Sequence, residues 1–186
     1  MMLIITGLTF QPFISTYAAC PDDITGYWKL DETTAGTYAD FINGKDGTGN
    51  VDPTPVNGIV NGAQQFDSAT NTGIDVPPDR SFNWHGNDSF SIEFWVKTDG
   101  VAPATNQVVI GRTAAPMFWW VGIHTTDGLP SFFLFDTNGN GGGLSGVGSI
   151  SLSDGSWHHV VAVRDESSDD NIIYVDGVEQ GRTNHD

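Results

Sequence analysis

The chain has 186 residues, enough for one domain with a real apolar core, and its 38% hydrophobic content, with six Trp and 11 Phe, excludes a disordered polymer. Seven Lys plus Arg stand against 23 Asp plus Glu, a formal charge of −16 that repels phosphate backbones and excludes nucleic acid as a partner. Twenty-three Gly, nine Pro and no long stretch of helical periodicity point to short strands joined by turns, an all-β chain.

In chain order, "MMLIITGLTFQPFISTYAAC" carries no charged side chain and ends in small residues, so residues 1–19 read as a secretory signal and 20–186 as the domain. The segment is too short, and too broken by Gln11 and Pro12, to span a membrane. Cys20 is the only cysteine, which excludes an internal disulfide. "AAC" resembles the end of a bacterial lipobox, so a lipid anchor at Cys20 stands beside a free thiol at a cleaved N-terminus. Both readings place the domain outside the cell or on its surface.

"ITGYWKLDE" (24–32) predicts a strand, and the Gly/Asn/Asp-rich stretch 33–58 predicts a long loop. Within that loop "ADFINGKDGT" offers Asp40, Asn43 and Asp46 among glycines that let carbonyls turn inward, an oxygen set suited to calcium. "AQQFD" and "GIDVPP" are short strands, the second stopped by Pro77 and Pro78. "SFSIEFWVK" alternates, with Phe90, Ile92, Phe94 and Val96 on a core face and Glu93, Trp95 and Lys97 opposite.

"QVVIGR" is a further strand. "MFWWVGIH" then splits into an apolar face of Met117, Trp119, Val121 and Ile123 and a mixed face of Phe118, Trp120, Gly122 and His124. "SFFLFD" returns as its hairpin partner. Sugar rings stack on exposed aromatic faces while polar groups hold their hydroxyls, so Trp120 and His124, with Phe133 or Phe135 across the hairpin, are the candidate ligand-binding residues.

"DTNGNGGGLSGVG" (136–148) predicts a loop. Its opening imitates an EF-hand, but Val147 stands where a bidentate Glu belongs. "SWHHVVAVRD" predicts a central strand, which sends His158 and His159 to opposite faces as structural residues. Asp176-Gly177 between apolar runs predicts a hairpin with a type I′ turn. These pieces add up to two stacked antiparallel sheets. Paired carboxylates of a glycosidase strand are missing, since none of Glu32, Glu93, Glu166 and Glu179 has Asp two residues on.

Taken together, "YWKLDE", "ADFINGKDGT", "AQQFD", "GIDVP", "SFSIEFWVK", "DGSWHHVVAVRD" and "IYVDGV", in this order, resemble the laminin G-like (LamG-like) domains of the concanavalin A-like lectin/glucanase superfamily over about residues 24 to 182. The resemblance implies a two-sheet jelly-roll sandwich and a non-catalytic extracellular module that recognises a polysaccharide or surface glycan. It also makes the 40–46 loop a calcium position. The same fold hosts glucanases, so glycoside hydrolysis ranks third, behind a structural or adhesive module that binds extracellular protein. Family members continue past the Tyr-Val-Asp-Gly hairpin with further strands, so a jelly roll truncated at its C-terminus is expected.

Overall fold

The computed structural model describes residues 23–84, 88–113, 117–136, 138 and 141–184. The predicted signal segment and Cys20 lie outside the described residues, as does most of the EF-hand-like stretch after Asp136. Thirteen strands follow one another: β1 (Thr37–Tyr38), β2 (Gly47–Val51), β3 (Thr54–Asn57), β4 (Gly62–Gln65), β5 (Gly73–Asp75), β6 (Phe90–Lys97), β7 (Gln107–Arg112), β8 (Met117–Ile123), β9 (Pro130–Asp136), β10 (Gly141–Leu144), β11 (Trp157–Asp165), β12 (Asp170–Val175) and β13 (Val178–Asn184). A 3-10 turn covers Arg80–Phe82. Among the described residues no helix is long and apolar enough to cross a membrane.

Two four-stranded antiparallel sheets form the body, in the orders β10-β9-β8-β7 and β13-β12-β11-β6. The expected all-β sandwich is therefore present. Alternation aims Trp119, Val121 and Ile123 of β8 and Phe132 and Leu134 of β9 inward. They meet Ile92 of β6, Val160 and Ala162 of β11, and Ile173 and Val175 of β12, with Leu152 filling in from the 145–156 connection. Side chains as fully buried as Phe132 and Val160 stabilise the sandwich by roughly 1.5–3 kcal/mol each. The Asp176-Gly177 turn has φ of 51° and 78°, the two positive values that a type I′ hairpin requires.

The N-terminal part differs from expectation. "ITGYWKLDE" is no strand: it makes only an isolated bridge between Trp28 and Asp40, and Leu30 at φ 57° breaks its extension. The predicted loop 33–58 instead contains β1, β2 and β3. β1, β2 and β5 form a small sheet, and β3 and β4 a hairpin. A line of rings joins this part to the core, from Trp28 to Phe82 (6.3 Å), Phe82 to Trp84 (6.4 Å), and Trp84 to Phe90 (3.8 Å) and Trp119 (5.1 Å). The glycine run after Asp136 also differs, because Gly141–Leu144 pairs with β9. Glycine is needed there, since a Cβ on Gly143 would lie 2.3 Å from the Phe133 ring.

Candidate functional site

Asp40, Asn43 and Asp46 are brought together, but their oxygens are committed inward. The carboxylate of Asp40 accepts backbone N–H groups from Tyr27 (2.9 Å) and Ile42 (3.1 Å) on one oxygen, and from Asn43 (3.2 Å) and Lys45 (3.1 Å) on the other. Asp46 accepts the N–H of Asp40 at 2.9 Å. The Asn43 amide and the Lys45 ammonium both donate to the carbonyl of Thr25, each at 2.9 Å. Burial alone would raise the pKa of Asp40, but these N–H donors outweigh it and hold the group below its ordinary value.

A calcium ion needs six to eight oxygens. Here it would have to strip Asp40 of four donors and displace the Lys45 ammonium from the neighbouring carbonyl. As arranged, these residues do not fit the ion. Among the described residues no group of three or more His, Cys, Asp or Glu side chains could hold a metal.

Trp120 sits on the outer face of its sheet, in the register row Gly111–Trp120–Phe133–Gly143. Its ring stacks on Phe133 with centroids 4.6 Å apart and planes 23° apart, and Phe133 continues to Phe135 at 5.9 Å. The glycines flanking this pair carry no side chain that would stand above the rings. Phe118, across from Phe135, and Val108 and Val109 of β7 extend an exposed apolar surface beside it.

His124 shares the Trp120 face by parity, yet the two do not form one open surface. Gly122 and Ser131 between them are buried, and Ser131 accepts the N–H of Gly146 at 3.0 Å. A Cβ on Gly146 would stand 2.6 Å from Nδ1 of His124, so the 145–148 loop closes on the ring. That Nδ1 lies 2.9 Å from both oxygens of Asp127. The Leu129 N–H, with His124 adding to it against the effect of burial, holds Asp127 below its usual pKa. His124 thus braces the 124–129 turn.

The two adjacent histidines separate as strand geometry requires. His158 faces the interior, where Nδ1 meets Asp176 at 2.8 Å and Nε2 meets Asp154 at 3.1 Å. Burial would lower its pKa, but the two carboxylates outweigh that and raise it. The turn residue Asp154 therefore does reach the ring. His159 faces outward, its ring 5.1 Å from Trp95 and its Nε2 3.6 Å from Glu93. Across from Glu93 stands Val161, so the register sets no carboxylate opposite it.

A groove of about 430 Å³ opens between residues 31–33 and the β3–β4 hairpin. Asp31, Glu32, Asn57 and Asn61 line it, without an aromatic ring. Sequence reasoning did not single out Trp95, although its place among Glu93, Trp95 and Lys97 on the solvent face carried the signal.

Among curated proteins, none matches the chain significantly. The family model Laminin_G_3, described as the concanavalin A-like lectin/glucanases superfamily, matches residues 67–186. The match begins after β4 and takes in the whole sandwich, leaving Asp40, Asn43 and Asp46 outside it. With more than half of its length matched, and with two stacked antiparallel sheets, the chain belongs to the laminin G-like domains of the concanavalin A-like lectin/glucanases superfamily.

Proposed function

We propose that this domain is a non-catalytic, secreted or cell-surface recognition module whose ligand is a polysaccharide or surface glycan. The observation that carries the reading is the Trp120–Phe133 stack, laid flat on the outer sheet between two glycines. Such a surface lets the C–H face of a sugar ring approach without a steric wall. Laminin G-like domains are generally extracellular and typically non-catalytic, although their superfamily includes glycosidases. The lone Glu93 supports the non-catalytic reading, because glycoside hydrolysis uses two carboxylates about 5–9 Å apart.

A glycan-array screen, run with calcium and again with chelator, tests this. Expected are glycan signals that Trp120→Ala weakens and that chelation leaves intact, since the Asp40 loop is closed by its own N–H donors. Signals that vanish with chelator would restore calcium to the site. A second reading, a module that binds extracellular protein, is favoured by the exposed apolar Val108, Val109 and Phe118 beside the rings. A folded protein silent on every glycan would move the assignment there.

A further inference from the structure

We propose a second glycan subsite on the opposite side of the sandwich, formed by Trp95, Glu93 and His159 and taking a neutral pyranose unit; it rests on the glycan-binding reading above. Glu93 and Trp95 of β6 and His159 of β11 face outward, and the pairing of the two strands sets His159 directly across from Trp95. Trp95 is 47% exposed, although an indole of that size is among the most favourable groups to bury. Its ring lies 5.1 Å and 35° from the His159 imidazole, and about half of the residue remains open to solvent.

Among the described residues the Glu93 carboxylate and the His159 ring make no hydrogen bond and meet only as a loose ion pair. The side chain of Glu93 is 71% exposed and approaches only His159, at 3.6 Å, beyond hydrogen-bond distance. Among the described residues the Trp95 indole N–H has no acceptor. Lys97 lies two residues along the same face. An aromatic platform with a free acceptor, a free donor and an imidazole at its rim matches a pyranose, with apolar C–H bonds on one face and hydroxyls around the edge. At this platform the ring and the hydroxyl-binding groups stand on one strand pair.

Charge selects the neutral class. The chain carries −16, and most of its seven cations are engaged: Lys29 over the Phe41 ring, Lys45 and Arg112 by carbonyls, Arg164 by Asp169, and Arg182 by Glu179 and Asp170. A sulfated or uronic-acid polymer would meet Glu93 and a repelling field, with Lys97 as the near counter-charge. Two subsites on opposite faces also make the module bivalent, able to bridge polysaccharide chains and to gain avidity from both.

The test is affinity electrophoresis of the full chain through gels holding mixed-linkage β-glucan, xylan or galactomannan, with dextran sulfate as the anionic control. It is paired with turbidity in solution, which reports bridging. Wild type should be retarded by at least one neutral polymer and not by dextran sulfate, and should cloud that polymer. Trp95→Ala should weaken retention about tenfold, as losing one ring stack implies, and abolish turbidity. Trp95→Phe should restore part of both, and Glu93→Gln should weaken retention without altering thermal unfolding.

Retention that Trp120→Ala abolishes and Trp95→Ala leaves untouched would overturn the second subsite and keep the glycan reading. Retention that only Trp95→Ala abolishes would keep this subsite and remove Trp120 from the reading. Wild type unretarded by any neutral polymer, or held by dextran sulfate alone, overturns the neutral-sugar subsite.

Discussion

Residues 23–76 and the sandwich are both built of antiparallel strands, but different forces hold them. Every member of the buried apolar cluster lies between Ile92 and Val175. In the N-terminal part the buried side chains are Tyr38, Asp40 and Pro53, and the order comes from carboxylates gripping the backbone. Asp40 takes four N–H groups, Glu32 takes that of Ala39, and Asp52 takes the N–H of Gly36 and the Tyr38 hydroxyl. Burial first, then Asp52, pushes the Tyr38 phenol above its ordinary pKa. Short glycine-rich strands have too little apolar area to bury, so directional bonds to charged acceptors, each contributing roughly 1.5–3 kcal/mol, replace it. Such a region should answer to acid and to single carboxylates, and the sandwich to lost volume.

The sharpest division comes from the core. Phe132→Ala should destabilise the protein by about 3–5 kcal/mol, because Phe132 is fully buried between the sheets. Urea denaturation followed by Trp fluorescence would measure it, and a loss below about 1 kcal/mol would mean the core can collapse around the gap. Next in size, Asp40→Ala leaves four N–H groups without their acceptor, at a cost of about 2–3 kcal/mol. That loss should stay local. Hydrogen exchange should quicken over residues 27–46 while β11 and β12 amides keep their protection; equal loss in both would erase the distinction between the two regions.

The same division explains what the sequence could reveal. Strand β6 announces itself because it buries one face, and burial writes alternation into residue choice. Strands β8, β9 and β11 are legible instead as short apolar runs rich in aromatic and β-branched residues. The Asp176-Gly177 turn is equally plain, since backbone twist demands that chemistry. Strands β1, β2, β3 and β10 stay hidden because they bury little or carry glycine. "ITGYWKLDE" misleads for the converse reason: it has strand composition, but Tyr27 gives its N–H to the Asp40 side chain. At the candidate site, parity placed Trp120 and His124 on one face correctly. It could not foresee the 145–148 loop closing over His124, a contact set by distant residues.

Titration separates the two regions further. Asp40 has a folded pKa below the ordinary 3.8, so the stability it contributes is present above that value and lost as pH falls through the folded one. His158 is raised above 6.5, so its contribution is full below that value and lost as pH rises through the folded pKa. Its partners Asp176 and Asp154 are lowered, Asp176 mainly by the His158 hydrogen bond and Asp154 mainly by the Ser156 N–H. The clamp therefore weakens at both extremes, while the Asp40 anchor weakens only in acid. As pH rises from 6.5 through the folded pKa, stability should fall with a slope of at most about 1.4 kcal/mol per pH unit, one proton's worth. His158→Gln should flatten that slope, as denaturation midpoints across the range would report; an unchanged slope would place the titrating group elsewhere.

The smallest expected effect asks whether the hairpin and the clamp are one device. Gly177 holds φ at 78° with nothing within 4 Å of where a Cβ would stand. Gly177→Ala therefore meets no clash, and its cost of about 1 kcal/mol is that of holding an L residue in a left-handed conformation. Asp176→Asn is the complementary change: Asn tolerates the same turn but removes the charge facing His158. If turn and clamp act separately, Gly177→Ala lowers stability equally at pH 6 and pH 8.5, while Asp176→Asn lowers it more at pH 6, where the imidazole is charged. A Gly177→Ala loss that shrinks at pH 8.5 would instead mean that the turn's conformation is what aims Asp176 at the histidine, joining the β12–β13 hairpin to the inward face of β11 as one pH-dependent unit.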